Sequence, residues 1–109
     1  MPRVELSSIE PKEIVDGYLA RFIHTENMTF SFVDIIAGKT LPEHSHVNEQ
    51  VSIMLEGEFE LTLSGEPIRF GPGEVIIIPS HATHAGLAIT DCQILDVFYP
   101  VREDFRALS

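Results

Sequence analysis

The chain has 109 residues, the size of one compact domain, and 44% of them are hydrophobic, enough for a core. Its formal charge is −10, which argues against nucleic acid, whose binders need clustered Lys and Arg. No segment approaches the roughly 20 apolar residues of a membrane helix, "MPRVELSS" lacks a basic-then-apolar leader pattern, and a lone cysteine, Cys92, excludes an internal disulfide. The expectation is a soluble cytoplasmic protein with neither a membrane nor a nucleic-acid partner.

In chain order, "SSIEPKEIV" offers one helical turn near the start, and strand signals follow. Residues 18–24, 28–36, 50–55, 58–63, 67–70, 74–78, 84–89 and 93–99 are rich in β-branched and aromatic side chains. Gly38, Glu56-Gly57, Ser64-Gly65, Gly71-Pro72-Gly73 and Pro79-Ser80 punctuate them. "EFELTL" alternates, with Phe59, Leu61 and Leu63 on one face, whereas "EVIII" is apolar throughout and reads as buried on both faces. "REDFRAL" predicts a helical turn near the end. Short strands at this spacing imply an all-β sandwich or barrel, with no linker or repeat to divide it.

"HSHVNEQ" carries the first chemical signal. His44, His46 and Gln50 fall at i, i+2 and i+6, so an extended strand turns all three to one side. "PSHATH" supplies two more imidazoles, His81 and His84, and a facing strand of a small barrel brings one of them opposite the first group. Three imidazoles and an amide oxygen suit a divalent transition metal (Ni, Mn, Fe, Co or Zn). Four protein ligands with two further positions fit an octahedral ion better than a closed tetrahedral zinc site. His24 lies outside the pattern and reads as an ordinary strand-end histidine.

These residues resemble the two cupin motifs. Gly38, "KTLPE", His44-Ser-His46, "VNE", Gln50, "VSIMLE", Gly57 matches the first, with Gln50 where the family usually has Glu. Gly73, "EVIII", Pro79-Ser80-His81, "AT", His84 matches the second, with His81 at a position usually Gly and Ala88 at one usually Asn. The resemblance implies a single cupin jelly-roll β-barrel (a double-stranded β-helix) over residues 1–109. Its barrel core would span about 28–99 and a short C-terminal extension 100–109. It also implies a homodimer, a metal inside the barrel and, as its ligands, His44, His46, Gln50 and His84. His81 then sits in a tight turn that needs a positive φ.

"HSHVNEQVSIMLEGEFEL", "VIIIPSHATHAG" and especially "ILDVFYPVREDF" are similar to the small pectin-degradation cupins of the KdgF type, over roughly two thirds of the chain from Gly38 to Phe105. That group uses Gln as the fourth ligand and opens 4,5-unsaturated uronates, products of pectin or alginate breakdown, to the linear keto form. The resemblance places its functional roles on Asp96, Phe98 and Arg102. The residues agree with this. Asp96 and Phe98 share parity on one strand, and a carboxylate within "ILDVF" costs several kcal/mol unless paired. Arg102 can pair with Asp96 or grip a substrate carboxylate bidentately. Four neutral ligands leave the metal its full charge, which draws in a small anionic sugar acid despite the overall −10. The competing readings are another metal-dependent cupin enzyme, such as a dioxygenase or sugar isomerase, and a non-enzymatic small-molecule or metal-binding cupin.

Overall fold

A computed structural model of the chain describes residues 3–108. Ten strands form two antiparallel sheets: β1 (Lys12–Val15), β2 (Tyr18–His24), β3 (Thr29–Ile35), β4 (Thr40–His44), β5 (Glu49–Glu56), β6 (Phe59–Leu63), β7 (Glu66–Phe70), β8 (Val75–Ile78), β9 (His84–Ala88) and β10 (Cys92–Tyr99). One sheet runs β1-β2-β3-β10-β5-β8 and the other β4-β9-β6-β7. The chain crosses repeatedly between them, the jelly-roll arrangement, and closes its core between their inner faces. One α-helical turn, α1 (Glu103–Arg106), follows the last strand. No helix among the described residues is long and apolar enough to cross a membrane.

Alternation builds the core. Tyr18, Ala20 and Phe22 of β2, Val33 and Ile35 of β3, Met54 of β5 and Ile94 of β10 point inward from the larger sheet. Phe59, Leu61 and Phe70 meet them from the smaller one. Gly86 of β9 leaves room for the Phe59 ring, since a Cβ there would lie 2.3 Å from it. Gly57 turns the chain from β5 to β6 at φ 90°. A side chain there would also strike the Asp91 carbonyl oxygen, so this position requires glycine.

Three local expectations need correction. "SSIEPKEIV" makes a 3₁₀ turn over Leu6–Ser8, but its second half is strand β1; its Ile14 and Val15 pack on the core. "TLPEH" is also a strand, β4, although Pro42 argues against one. It survives because β4 edges its sheet and its pairing with β9 is irregular between Leu41 and His44. "EVIII" is not buried on both faces. β8 edges the larger sheet, so Ile76 and Ile78 are inside while Val75 and Ile77 are 51% and 64% exposed.

Candidate metal centre and active site

Three imidazoles converge between the two sheets. His44 ends β4, His84 opens β9 directly opposite it, and His46 sits in the connection to β5. Their nearest ring nitrogens all lie within 4.8 Å of one another. A single extended strand does not present His44, His46 and Gln50 from one side, as the parity argument supposed. The chain bends at Val47-Asn48 as it passes from the smaller sheet to the larger. The convergence comes from that crossover and from β9, which brings His84. His81 stays exposed in the turn after β8, at φ 66°, with its N–H donating to the His46 carbonyl at 2.8 Å. His24 ends β2 and bonds Thr29 through Nδ1.

The hydrogen bonds fix the tautomers. His44 Nδ1 lies 2.8 Å from the Pro42 carbonyl, His46 Nδ1 2.9 Å from that of Asn48, and His84 Nδ1 2.9 Å from that of Ala82. A carbonyl only accepts, so each Nδ1 carries the proton and each neutral ring keeps its Nε2 lone pair for the centre. Burial lowers the His84 pKa to about 4, with His44 and His46 beside it acting in the same direction, and it also lowers that of His46, assisted by Arg102. His84 Nε2 is buried without a hydrogen-bond partner. Gln50 Oε1 faces His46 Nε2 at 3.1 Å, acceptor against acceptor. An unpartnered buried nitrogen and two opposed lone pairs fit a cation shared among these atoms, so the donor set suits the implied metal.

Inward side chains of the larger sheet form the other wall. Asp96 pairs with Ser31 of β3 on one side and Ser52 of β5 on the other, while Phe98 pairs with Thr29 and Gln50. Asp96 keeps some accessible surface because it lines a cavity, yet protein surrounds it. Burial raises its pKa to about 6, against the hydrogen bonds of Ser52 and Gln50. Ser52 Oγ donates to Asp96 Oδ1 at 2.6 Å, so Ser52 and Gln50, and not Arg102, are the hydrogen-bond partners of this carboxylate. The cavity that Asp96 lines is shared by His44, Gln50, His84, Phe98 and Arg102.

Arg102 is held from several directions. Its N–H donates to Thr29 Oγ1 at 2.9 Å, and Asn48 Nδ2 donates to the Pro100 carbonyl at 2.6 Å, tying this segment to the barrel mouth. The guanidinium lies over the rings of Phe105 and Phe98, 3.8 and 4.9 Å from their centroids. Nε and one Nη donate to Asp104 at 2.9 and 2.6 Å, which holds the Asp104 carboxyl below its ordinary pKa. Asp104 therefore occupies one edge of the guanidinium fork. Asn48, Ser52, Asp104 and Phe105 escaped the sequence reading. Ser52 had a signal: a polar residue at inward parity within apolar "QVSIML", as Asp96 is within "ILDVF".

A two-sheet jelly roll with three neutral imidazoles and a glutamine at one end of its interior defines a small barrel able to hold a metal ion. Residues 31–98 match the cupin domain model Cupin_2, more than half of the chain, and the protein belongs to the cupin family. The chain is similar to the structure of KdgF from Halomonas sp., at 26% identity and a TM-score of 0.85, covering 91% of this chain and 93% of that one. An RmlC-like cupin from Shewanella frigidimarina shares the fold at 24% identity and a TM-score of 0.90, covering 96% of both chains. An uncharacterized Streptomyces coelicolor protein is 27% identical over 78% of this chain and 82% of its own length.

Proposed function

We propose that this cupin is a metal-dependent enzyme that converts 4,5-unsaturated uronates to the linear keto form. The observation that carries this reading is one cavity lined by His44, Gln50, His84, Asp96 and Arg102 together. The likeness to KdgF over nearly the whole chain supports it.

His44, His46, Gln50 and His84 would hold a divalent transition ion, which supplies Lewis acidity toward a sugar oxygen. The reaction is an isomerisation, so no atoms or electrons are gained or lost. The Asp96 carboxylate takes the proton from the C1 hydroxyl. The bond from C1 to the ring oxygen breaks, its electron pair goes to that oxygen, and C1 becomes an aldehyde. Asp96 then returns a proton to C4, and the enol becomes a ketone at C5. Its pKa of about 6, raised by burial, suits a group that must both take and give a proton near neutrality. Arg102 orients the uronate carboxylate through the fork edge that Asp104 leaves open, and Phe98 supplies an apolar wall beside His46.

The test is the ultraviolet absorbance of freshly made 4,5-unsaturated galacturonate, followed with metal-replete protein against the spontaneous rate. Acceleration that chelation abolishes is expected. No acceleration by protein with metal bound overturns the uronate reading and favours another substrate or a binding role.

We also infer that a second copy of the chain covers the outer face of the larger sheet. Two adjacent rungs there are apolar across four strands or more: Ile23, Phe30, Val97, Val51 and Ile77, and then Phe32, Leu95, Ile53 and Val75. An apolar face of this extent on a monomer invites association.

A further inference from the structure

We infer that Ser52 is a positioning residue for the metal centre, locking the Gln50 side-chain amide with its oxygen toward the ion. This rests on the metal-binding reading above and on no assumption about substrate. Gln50 and Ser52 lie two apart on β5, both inward and both buried, at 7% and 3% exposure. Asp96 stands opposite Ser52 on β10. The groups form a chain: Asp96 Oδ1 accepts from Ser52 Oγ at 2.6 Å, Ser52 Oγ accepts from Gln50 Nε2 at 3.0 Å, and Gln50 Oε1 faces His46 Nε2 at 3.1 Å.

Donor counting sets the direction of this chain. An amide can present either its oxygen or its nitrogen to His46. Facing a ring whose Nε2 is an acceptor, the –NH₂ end makes a hydrogen bond, while the oxygen end sets lone pair against lone pair. Left to itself, then, the Gln50 amide turns its nitrogen to His46, and a nitrogen so placed cannot bind a metal. Ser52 opposes that rotation. Its single proton is committed to the Asp96 carboxylate, so only an acceptor lone pair remains for Gln50. A flipped amide would set Oε1 against that lone pair, at a buried site where an unmet acceptor costs about 1–3 kcal/mol. The acceptor character of Asp96 thus reaches the ligand oxygen through the Ser52 hydroxyl, and its own hydrogen bond from Gln50 acts in the same sense. A family glutamate at position 50 would need no such lock, because both of its ends are oxygens. The serine is the counterpart of the glutamine.

The experiment is calorimetric titration of chelator-stripped protein with nickel(II) alone, with circular dichroism confirming the fold of each variant. Ser52→Ala is expected to weaken nickel binding about 10- to 100-fold, the range for supporting groups behind a metal ligand. Ser52→Thr, which keeps the hydroxyl, is expected to restore most of the affinity. The decisive arm is Gln50→Glu. In that background, adding Ser52→Ala is expected to change affinity less than about threefold, since no amide remains to orient. Equal losses in the two backgrounds would reduce Ser52 to generic packing and overturn the inference, as would unchanged affinity in Ser52→Ala. Wild-type protein that takes up no nickel would instead refute the metal centre itself, and the inference with it.

Discussion

The two faces of the larger sheet invert the usual arrangement. The outer face carries Phe30, Phe32, Val51, Ile53, Leu95 and Val97 in the middle of the sheet, while the inner face at the same level carries Ser31, Asp96, Ser52 and Gln50. Toward the other end of the barrel the inner face returns to Val33, Ile94 and Met54. A core rung of Ser, Asp and Ser stabilises less than one of Val and Ile, because each polar group must find a partner to offset its desolvation. The inner face therefore sacrifices stability at one end to hold a buried carboxylate and a buried amide. The outer face keeps the apolar side chains that β propensity favours, the face proposed above to meet a second copy of the chain.

Exchanging polarity on the inner face is expected to have the largest effect. Asp96→Asn keeps the shape and an acceptor oxygen for Ser52 but cannot carry a proton. Uronate turnover is expected to fall about 10²- to 10⁴-fold, the usual contribution of a general acid or base, with nickel content by elemental analysis unchanged. Turnover within a few-fold of wild type would remove Asp96 from the reaction.

Next in size is the ion itself. Metal at 100 times its dissociation constant is expected to stabilise the fold by about 2.7 kcal/mol, read as a rise in melting temperature. In His84→Ala that rise should be absent. A rise that persists would place the ion away from the β4–β9 histidines.

The outer face is tested by Ile77→Lys, which puts a charge on the exposed rung of β8. Sedimentation equilibrium should shift from the mass of a dimer to that of one chain, with metal binding retained. A wild-type protein already at monomer mass would refute the proposed interface.

The smallest effect concerns pH, and it too divides the barrel. His84 has a folded pKa of about 4 against an ordinary 6.5, so the native state binds fewer protons in between and stability is lost as pH falls through that window. Asp96 has the opposite sign. Its folded pKa of about 6 exceeds the ordinary 3.8, so its contribution is lost as pH rises from about 4 to 6. The two slopes oppose each other in metal-free protein. Asp96→Asn removes one of them, and its urea midpoint should climb more steeply from about pH 4 to 6 than that of wild type. Equal slopes would mean that Asp96 does not titrate in this range.

Much of this was visible along the chain. The alternation of "EFELTL" and the paired parity of Asp96 and Phe98 predicted their inward faces, since a strand's period of two needs no partner to be read. The spacing of His44 and His46, and the resemblance to the second cupin motif at His84, marked the cluster. Strand β4 was hidden by Pro42, and β8 looked buried on both faces because composition cannot tell an edge strand with an apolar outer face from a central one. Ser52 was readable by the same rule as Asp96, but a serine in a strand is unremarkable until its neighbours are known.

Residue order alone therefore settled which side chains share a face within one strand and which donor types they offer, because parity and donor type are local properties. The fold settled what meets what. His84 reaches His44 across β9 and β4, and Ser52 reaches Asp96 across β5 and β10, from 44 residues away in the chain. Strand register creates those contacts, and register depends on which residues every other strand buries.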